Sequence, residues 1–339
     1  MTLRTAANLL SCLTARRVSN TVRALAACIR AERSGTAAVA GKPHTVTIEP
    51  TNLCNLHCPE CPSGSGALRR REGYMDYDAF VEIVDEIAPD VVAVQLFFQG
   101  EPFLHPRIED MISYAHRKRL FVSVSTNAHF IDEDNAERIL RAGVDKLIVS
   151  LDGATEESYR SYRVGGNFSR VIGALKALHR CRCAGIGKRC ELVVQCLVTR
   201  GNEPEIPRMR ALARRYGAAL TLKTIQVHSL EGAQRFLPRN DRYSRYVMHG
   251  DSFRPKSPLK NRCRRLWTHG VITWDGTAVP CCFDKDAAFP LGTVTGNSYW
   301  AVWSSAPYME FRNAVLRNRR SITMCTNCTE GLRVYPRGK

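Results

Sequence analysis

Three cysteines in the spacing C-x3-C-x2-C, Cys54, Cys58 and Cys61, follow directly on a short apolar stretch, Val46-Thr47-Ile48-Glu49-Pro50, that reads as a β-strand. A cubane iron–sulfur cluster presents four irons, so three thiolates leave one iron with an open position for another ligand. A strand ending in such a loop constrains the fold as well as the chemistry, because parallel sheets gather their binding groups at the carboxyl ends of their strands. Zinc is the competing reading, and His57 inside the loop supports it. Zinc sites, however, usually draw on paired C-x2-C units or mixed Cys/His sets.

Downstream of this loop, apolar runs alternate with amphipathic stretches, the pattern of repeated βα units around a parallel sheet. The strand candidates are His44–Glu49, Val91–Phe98, Leu120–Ser125, Lys146–Ser150, Leu192–Thr199 and Leu220–Val227. Helical segments are expected at Tyr77–Ile87, Arg107–Lys118, Glu133–Ala142, Ser169–Arg180 and Glu203–Tyr216, with Asp76 and Pro106 as start signals. The expected fold class is therefore α/β, with a partial (β/α)6 TIM-like barrel over residues 42–228.

The second strand ends in Gln99-Gly100-Glu101-Pro102, one βα unit after the cysteines. Glycine suits a turn where backbone approaches a ligand closely. From about His44 to Glu330, the cysteine loop, this turn and the βα repeat together resemble the radical SAM superfamily. The resemblance implies that Cys54, Cys58 and Cys61 hold a 4Fe-4S cluster whose open iron binds S-adenosyl-L-methionine (SAM). Reductive cleavage of SAM would then yield a 5′-deoxyadenosyl radical, chemistry that the cofactor carries and the protein positions. It also implies that Gln99, Gly100 and Glu101 receive the methionyl ammonium, with Gln99 standing where a first glycine is usual. Asn127, Ser150 and Asp152 fall where family members hold the ribose and the methionyl carboxylate, although Ser, Asn and Asp are also ordinary turn formers. Arg163 matches an arginine placed near that carboxylate, which its guanidinium fork suits. Glu60 stands where an aromatic residue usually precedes the third cysteine, leaving adenine contacts there to the backbone.

A second cysteine set comprises Cys263, Cys281, Cys325 and Cys328, with Cys282 as a spare. Two short strands meeting at Asp275-Gly276 form a hairpin that delivers Cys281, and a C-x2-C pair closes the set. This region resembles the SPASM/twitch domain, which implies one auxiliary 4Fe-4S cluster on these four thiolates; zinc is again the alternative. Cys12, Cys28, Cys181, Cys183, Cys190 and Cys196 show no metal spacing and read as structural thiols.

The net charge of +17 is uneven: residues 1–41 carry six arginines against one glutamate, residues 42–228 are nearly balanced, and residues 229–339 carry 18 basic against 8 acidic groups. Basic flanks attract anionic substrates, nucleic acid or membrane surfaces, or are simply solvated. Residues 1–41 form a basic amphipathic extension. It reads as a transit peptide, a membrane-surface helix or a helix packed across the barrel, and packing is the preferred reading. Residues 229–262 are rich in Arg and Pro and read as a linker to a small β-hairpin and helix domain at 263–339. No apolar run approaches the ~18 residues of a membrane span. A cytoplasmic protein is expected, with an anionic membrane surface as an additional candidate partner and no specific nucleic acid.

A thiolate-saturated auxiliary cluster suits electron relay. The first functional expectation is an oxidoreductase that abstracts a substrate hydrogen and passes an electron to that cluster, acting on a small or conjugated metabolite. An external donor such as flavodoxin or ferredoxin would reduce the first cluster. A peptide or protein maturase is the alternative. It ranks second because residues 1–41 are too few for the peptide-binding winged-helix domain that such enzymes frequently carry. A non-catalytic electron-transfer protein is the third reading, against which the ammonium-binding turn argues. Lys223, Gln226 and His228, near the sixth strand's end, are left unassigned.

Overall fold

The computed structural model describes residues 2–256 and 259–329; residues 330–339, to which the expected C-terminal domain extends, lie outside the described residues. Six parallel strands form in chain order: β1 (Thr45–Ile48), β2 (Ala93–Gln95), β3 (Phe121–Thr126), β4 (Lys146–Ser150), β5 (Glu191–Val198) and β6 (Ala219–Thr224). Two helices precede them, α1 (Leu3–Ser11) and α2 (Ala15–Ser34). Helices α3 (Tyr77–Ile87), α4 (Ile108–Arg117), α5 (Ala136–Arg141), α6 (Phe168–Cys183) and α7 (Ile206–Arg215) alternate with the strands. Asp76 caps α3 by accepting from the amides of Asp78 and Ala79. The arrangement is that of a partial TIM-like barrel.

The two faces of the sheet differ. Val46, Ile48, Val94, Val122, Val124, Leu147 and Val149 are all fully buried within the main core. On alternate positions the register aligns Thr47, Gln95, Ser123 and Lys146 in one row, and the Thr47 hydroxyl donates to Gln95 Oε1. A parallel sheet covered on both faces reads as continuous apolar runs. The polar row marks the barrel's inner wall.

The C-terminal hairpin does not stand apart from the barrel. Its strands β9 (His269–Ile272) and β10 (Thr277–Val279) join the same sheet, with β9 running parallel to β1 in the register Thr45↔His269 to Ile48↔Ile272. A short strand β11 (Gly292–Thr293) completes the order β11-β10-β9-β1-β2-β3-β4-β5-β6. The free edge of β1 has unpaired backbone groups that β9 satisfies. Gly276 turns the hairpin at φ +80°, where a Cβ would strike the Thr295 hydroxyl.

Residues 229–262, read from sequence as a linker, contain defined structure: helix α8 (Leu230–Phe236) and the hairpin β7 (Tyr246–His249) and β8 (Ser252–Pro255). Their apolar members Ala233, Phe236, Leu237 and Tyr246 bury against Leu56, Cys58, Tyr162, Ile225 and Val227. Arg and Pro dominate the composition, but these few apolar side chains suffice to fold the segment over the first cysteine loop.

The leader packs at the amino ends of the strands. Arg17 is 4% exposed and donates to the carbonyls of Cys12, Ala88, Lys118 and Arg119. Arg16 and Lys42 both pair with Asp90, just ahead of β2. Asn8 donates to the Arg189 carbonyl and Thr5 to Glu191, ahead of and at the start of β5. Leu9 and Cys12 pack with Val92, Ala93 and Phe121. Residues 2–41 thus pack across the barrel at the end opposite the cysteine loops.

Candidate active site

Cys54, Cys58 and Cys61 lie on the loop leaving β1, with Cys58 buried and the other two partly so. All three belong to the small core that α8 and β7 cover. Burial pushes the Cys54 thiol up to about 12, the Leu56 amide opposes this, and Glu101, Cys61 and Cys58 add to it. Thiols that resist ionisation only because they are dry and mutually repulsive are well placed to become ligands, since a bound metal cluster supplies the missing positive charge.

The turn after β2 lies directly on this loop. Gly100 has φ +74°, and a Cβ there would come within 2.5 Å of the Leu53 carbonyl oxygen. The Glu101 amide donates to that same carbonyl at 2.7 Å. Gln99 is tied by its amide to Glu49 and by its side chain to Ser63. Glycine at position 100 is thus required by close approach to the cysteine loop as well as by the turn.

Glu101 is fully buried, and burial pushes its carboxyl up to about 6 against the pull of the Asn127 amide, the Thr126 hydroxyl and the Phe103 amide. Its Oε2 accepts from the Asn127 amide and its Oε1 from Thr126, both at 2.6 Å. A carboxylate offers about four acceptor positions, so these bonds orient it and leave capacity for a cationic ligand. Asn127 also donates to Asn55 in the cysteine loop at 2.7 Å, joining the ends of β1, β2 and β3. Ser150 is buried at the end of β4, and its hydroxyl makes no hydrogen bond among the described residues.

Arg163 and Asp152 sit together at the ends of the strands. They form an ion pair through Arg163 Nε, and the second Asp152 oxygen accepts from the Leu197 amide. Asp152 thereby orients Arg163. Burial opposes the guanidinium charge, but Asp152 and then Cys58 outweigh it and raise the Arg163 pKa well above the usual arginine value. Glu60 reaches away from its own loop to accept from the His228 amide at 3.0 Å, beyond β6.

The second cysteine set converges. Cys263, Cys281, Cys325 and Cys328 all line one small hollow of about 10 Å³ with Leu266, Phe283, Phe311, Val315 and Arg319. Cys282 is not among its lining residues and instead accepts from Arg265. Four thiols around an apolar hollow fit a thiolate-saturated cluster.

Two features were not read from the sequence. Arg319 is 3% exposed and donates to Cys328 Sγ at 3.3 Å; burial opposes its charge, and Cys263, Cys328 and Cys325 hold it. Nothing in the local pattern of a polar Arg-rich stretch marks it. Glu49 is fully buried and receives Arg70 bidentately, both bonds at 2.8 Å, together with the amides of Gln99 and Trp274. It links β1, the Gly100 turn and the β9–β10 hairpin, and a carboxylate ending an apolar run was its available signal. The two cysteine regions are also bridged by Tyr246, which donates to Asn327, whose amide donates to the Val227 carbonyl.

Comparison with known proteins agrees with this geometry. Residues 48–194 match the radical SAM superfamily and residues 263–329 an iron–sulfur cluster-binding domain, SPASM. The mycofactocin maturase MftC of Mycolicibacterium smegmatis is 30% identical over 311 residues, covering 84% of this chain and 75% of the relative. The PqqA peptide cyclase of Gluconobacter oxydans is 27% identical over 282 residues, 77% of each chain. Among solved structures, SuiB of Streptococcus suis bound to S-adenosylmethionine superposes with a TM-score of 0.63 at 14% identity, covering 84% of this chain and 70% of that one. A SAM-binding 4Fe-4S cluster and auxiliary iron–sulfur ligation accompany these two domains. The chain belongs to the radical SAM superfamily, among the members that carry a C-terminal SPASM iron–sulfur cluster-binding domain.

Proposed function

We propose that this enzyme is a peptide- or protein-modifying maturase. The observation that carries the reading is the alignment with a mycofactocin maturase and a PqqA peptide cyclase over 84% and 77% of the chain. It outweighs the short leader, which had favoured a small metabolite. A partly open cleft of about 550 Å³ supports it, running between the Pro59–Ala67 segment and Phe283–Phe289, with Met324 beside the second cysteine set.

Cys54, Cys58 and Cys61 would hold the 4Fe-4S cluster, which together with SAM would supply radical chemistry for hydrogen abstraction. Glu101 holds the ammonium of SAM, oriented by Thr126 and Asn127. Arg163, steadied by Asp152, holds the carboxylate end. Cys263, Cys281, Cys325 and Cys328 would hold an auxiliary cluster, which would supply an electron acceptor there, and Arg319 keeps positive charge against the Cys328 sulfur. Lys285, which donates to Gln226, stands on the cleft wall to orient polar substrate groups. A flavodoxin or ferredoxin supplies the initiating electron.

The test is anaerobic reconstitution with SAM, reductant and short precursor peptides encoded beside the gene, read by mass spectrometry. A peptide mass change that accompanies 5′-deoxyadenosine and requires Cys54 supports the reading. Modification of a small metabolite alone, with every such peptide unchanged, refutes it.

A further inference from the structure

Among the described residues, ten large apolar side chains stand exposed, and seven of them lie between Leu3 and Ile29. The leader turns small and polar residues inward and its larger aliphatic ones outward. Thr5, Asn8, Arg17 and Asn20 are buried, as are Ala24, Ala27, Cys28 and Ala31 further along α2, whereas Leu3 and Leu10 on α1 are 91% and 66% exposed. On α2 the exposed residues Val18, Val22, Leu25 and Ile29 recur at i, i+4, i+7 and i+11, so they form one stripe along the helix.

Beside that stripe runs a basic one. Arg16, Arg23 and Arg30 recur every seven residues, and Arg33 lies in the last turn; all four are exposed. Arg16 pairs with Asp90, but Arg23, Arg30 and Arg33 make no ion pair among the described residues. The sole acid in residues 2–41, Glu32, is half-buried beside Cys28. No aromatic residue occurs in this segment. An aliphatic stripe flanked by unpaired arginines on one helical surface suits an anionic lipid headgroup boundary.

We propose that α1 and α2 seat this protein on an anionic lipid bilayer, with the aliphatic stripe at the acyl boundary and the arginines against headgroup phosphates. Because the leader packs at the amino ends of the strands, the cleft at their carboxyl ends faces away from the bilayer. The proposal does not depend on the identity of the substrate.

The experiment is flotation of the full-length reconstituted protein with phosphatidylcholine vesicles, with and without phosphatidylglycerol, at low and high salt. Flotation is expected only with phosphatidylglycerol and is weakened by salt. Arg23→Gln and Arg30→Gln should each lower partitioning by about fivefold, from the ~1 kcal/mol that each basic residue contributes near such a surface. Arg210→Gln, exposed on α7, should change nothing. Combined Val22→Ser, Leu25→Ser and Ile29→Ser should abolish flotation while iron content and melting temperature match the parent. Absence of flotation on phosphatidylglycerol, or undiminished flotation of the triple variant, overturns the proposal. So does a parent that ignores vesicles but forms a dimer, by light scattering, that the triple variant loses, since a second copy then covers the stripe.

Discussion

The buried Glu101 carboxyl makes SAM binding pH-dependent in a way that can be calculated. Burial raises it from an ordinary 4.5 to about 6 in the ligand-free protein. That difference corresponds to roughly 2 kcal/mol of differential stability between its two protonation states. Since the folded value lies above the unfolded one, the stabilising contribution of the neutral acid is complete below about 4.5 and is lost as pH rises through about 6. The ammonium of SAM requires the opposite, ionised form. SAM affinity should therefore rise with pH through about 6, being about fourfold below its plateau at pH 5.5. It should fall again as the α-amino group of SAM deprotonates near ~8. Glu101→Ala removes one partner of a buried charged pair, a loss of about 2–5 kcal/mol, or roughly 30- to 4,000-fold in Kd. Anaerobic calorimetric titration of SAM between about pH 5.5 and 8.5, with iron quantified at each point, checks both effects. The alanine variant should keep its iron and the alkaline limb and lose the acid limb. An acid limb that survives in Glu101→Ala, or a Kd within threefold of the parent's with iron intact, would falsify the assignment.

Replacing Cys54, Cys58 and Cys61 together with alanine should remove about four irons and end 5′-deoxyadenosine formation; persistent formation argues against the loop as the cluster site. Cys325→Ala with Cys328→Ala should lower iron from about eight atoms to about four, leaving SAM cleavage measurable while product oxidation stops. Continued product formation would place the second electron elsewhere. Arg17→Met strips the hydrogen-bonding partner from three carbonyls under the barrel and from the Cys12 carbonyl of the leader and should destabilise the protein by about 3–5 kcal/mol. Urea unfolding followed by circular dichroism reads this change, and a loss under about 1 kcal/mol would mean that the leader is not part of the cooperative fold.

What the sequence by itself determined is everything carried by local period and spacing. The six strands and five intervening helices follow from alternation and helical repeat, and all appear within a few residues of their expected bounds. The C-x3-C-x2-C loop and the glycine turn were legible because close backbone approach leaves few residue choices, as the 2.5 Å contact at Gly100 shows. Tertiary structure decided what depends on groups distant in sequence. The β9 strand joins β1 across more than two hundred residues because each completes the other's backbone hydrogen bonding. Cys281, not Cys282, enters the hollow with Cys263, Cys325 and Cys328, a choice made by which side of one chain segment faces inward. Arg163 meets Asp152, and Arg17 meets its carbonyls, through contacts that no periodicity encodes. The amphipathic leader was ambiguous for the same reason: a helix with an apolar stripe and a polar face does not specify which one packs. Here the face of Arg17, Asn20 and the small residues Ala24, Ala27 and Ala31 packs, because the segments ahead of β2 and β3 present carbonyls at Ala88, Asp90 and Lys118 that Arg17 and Asn20 satisfy.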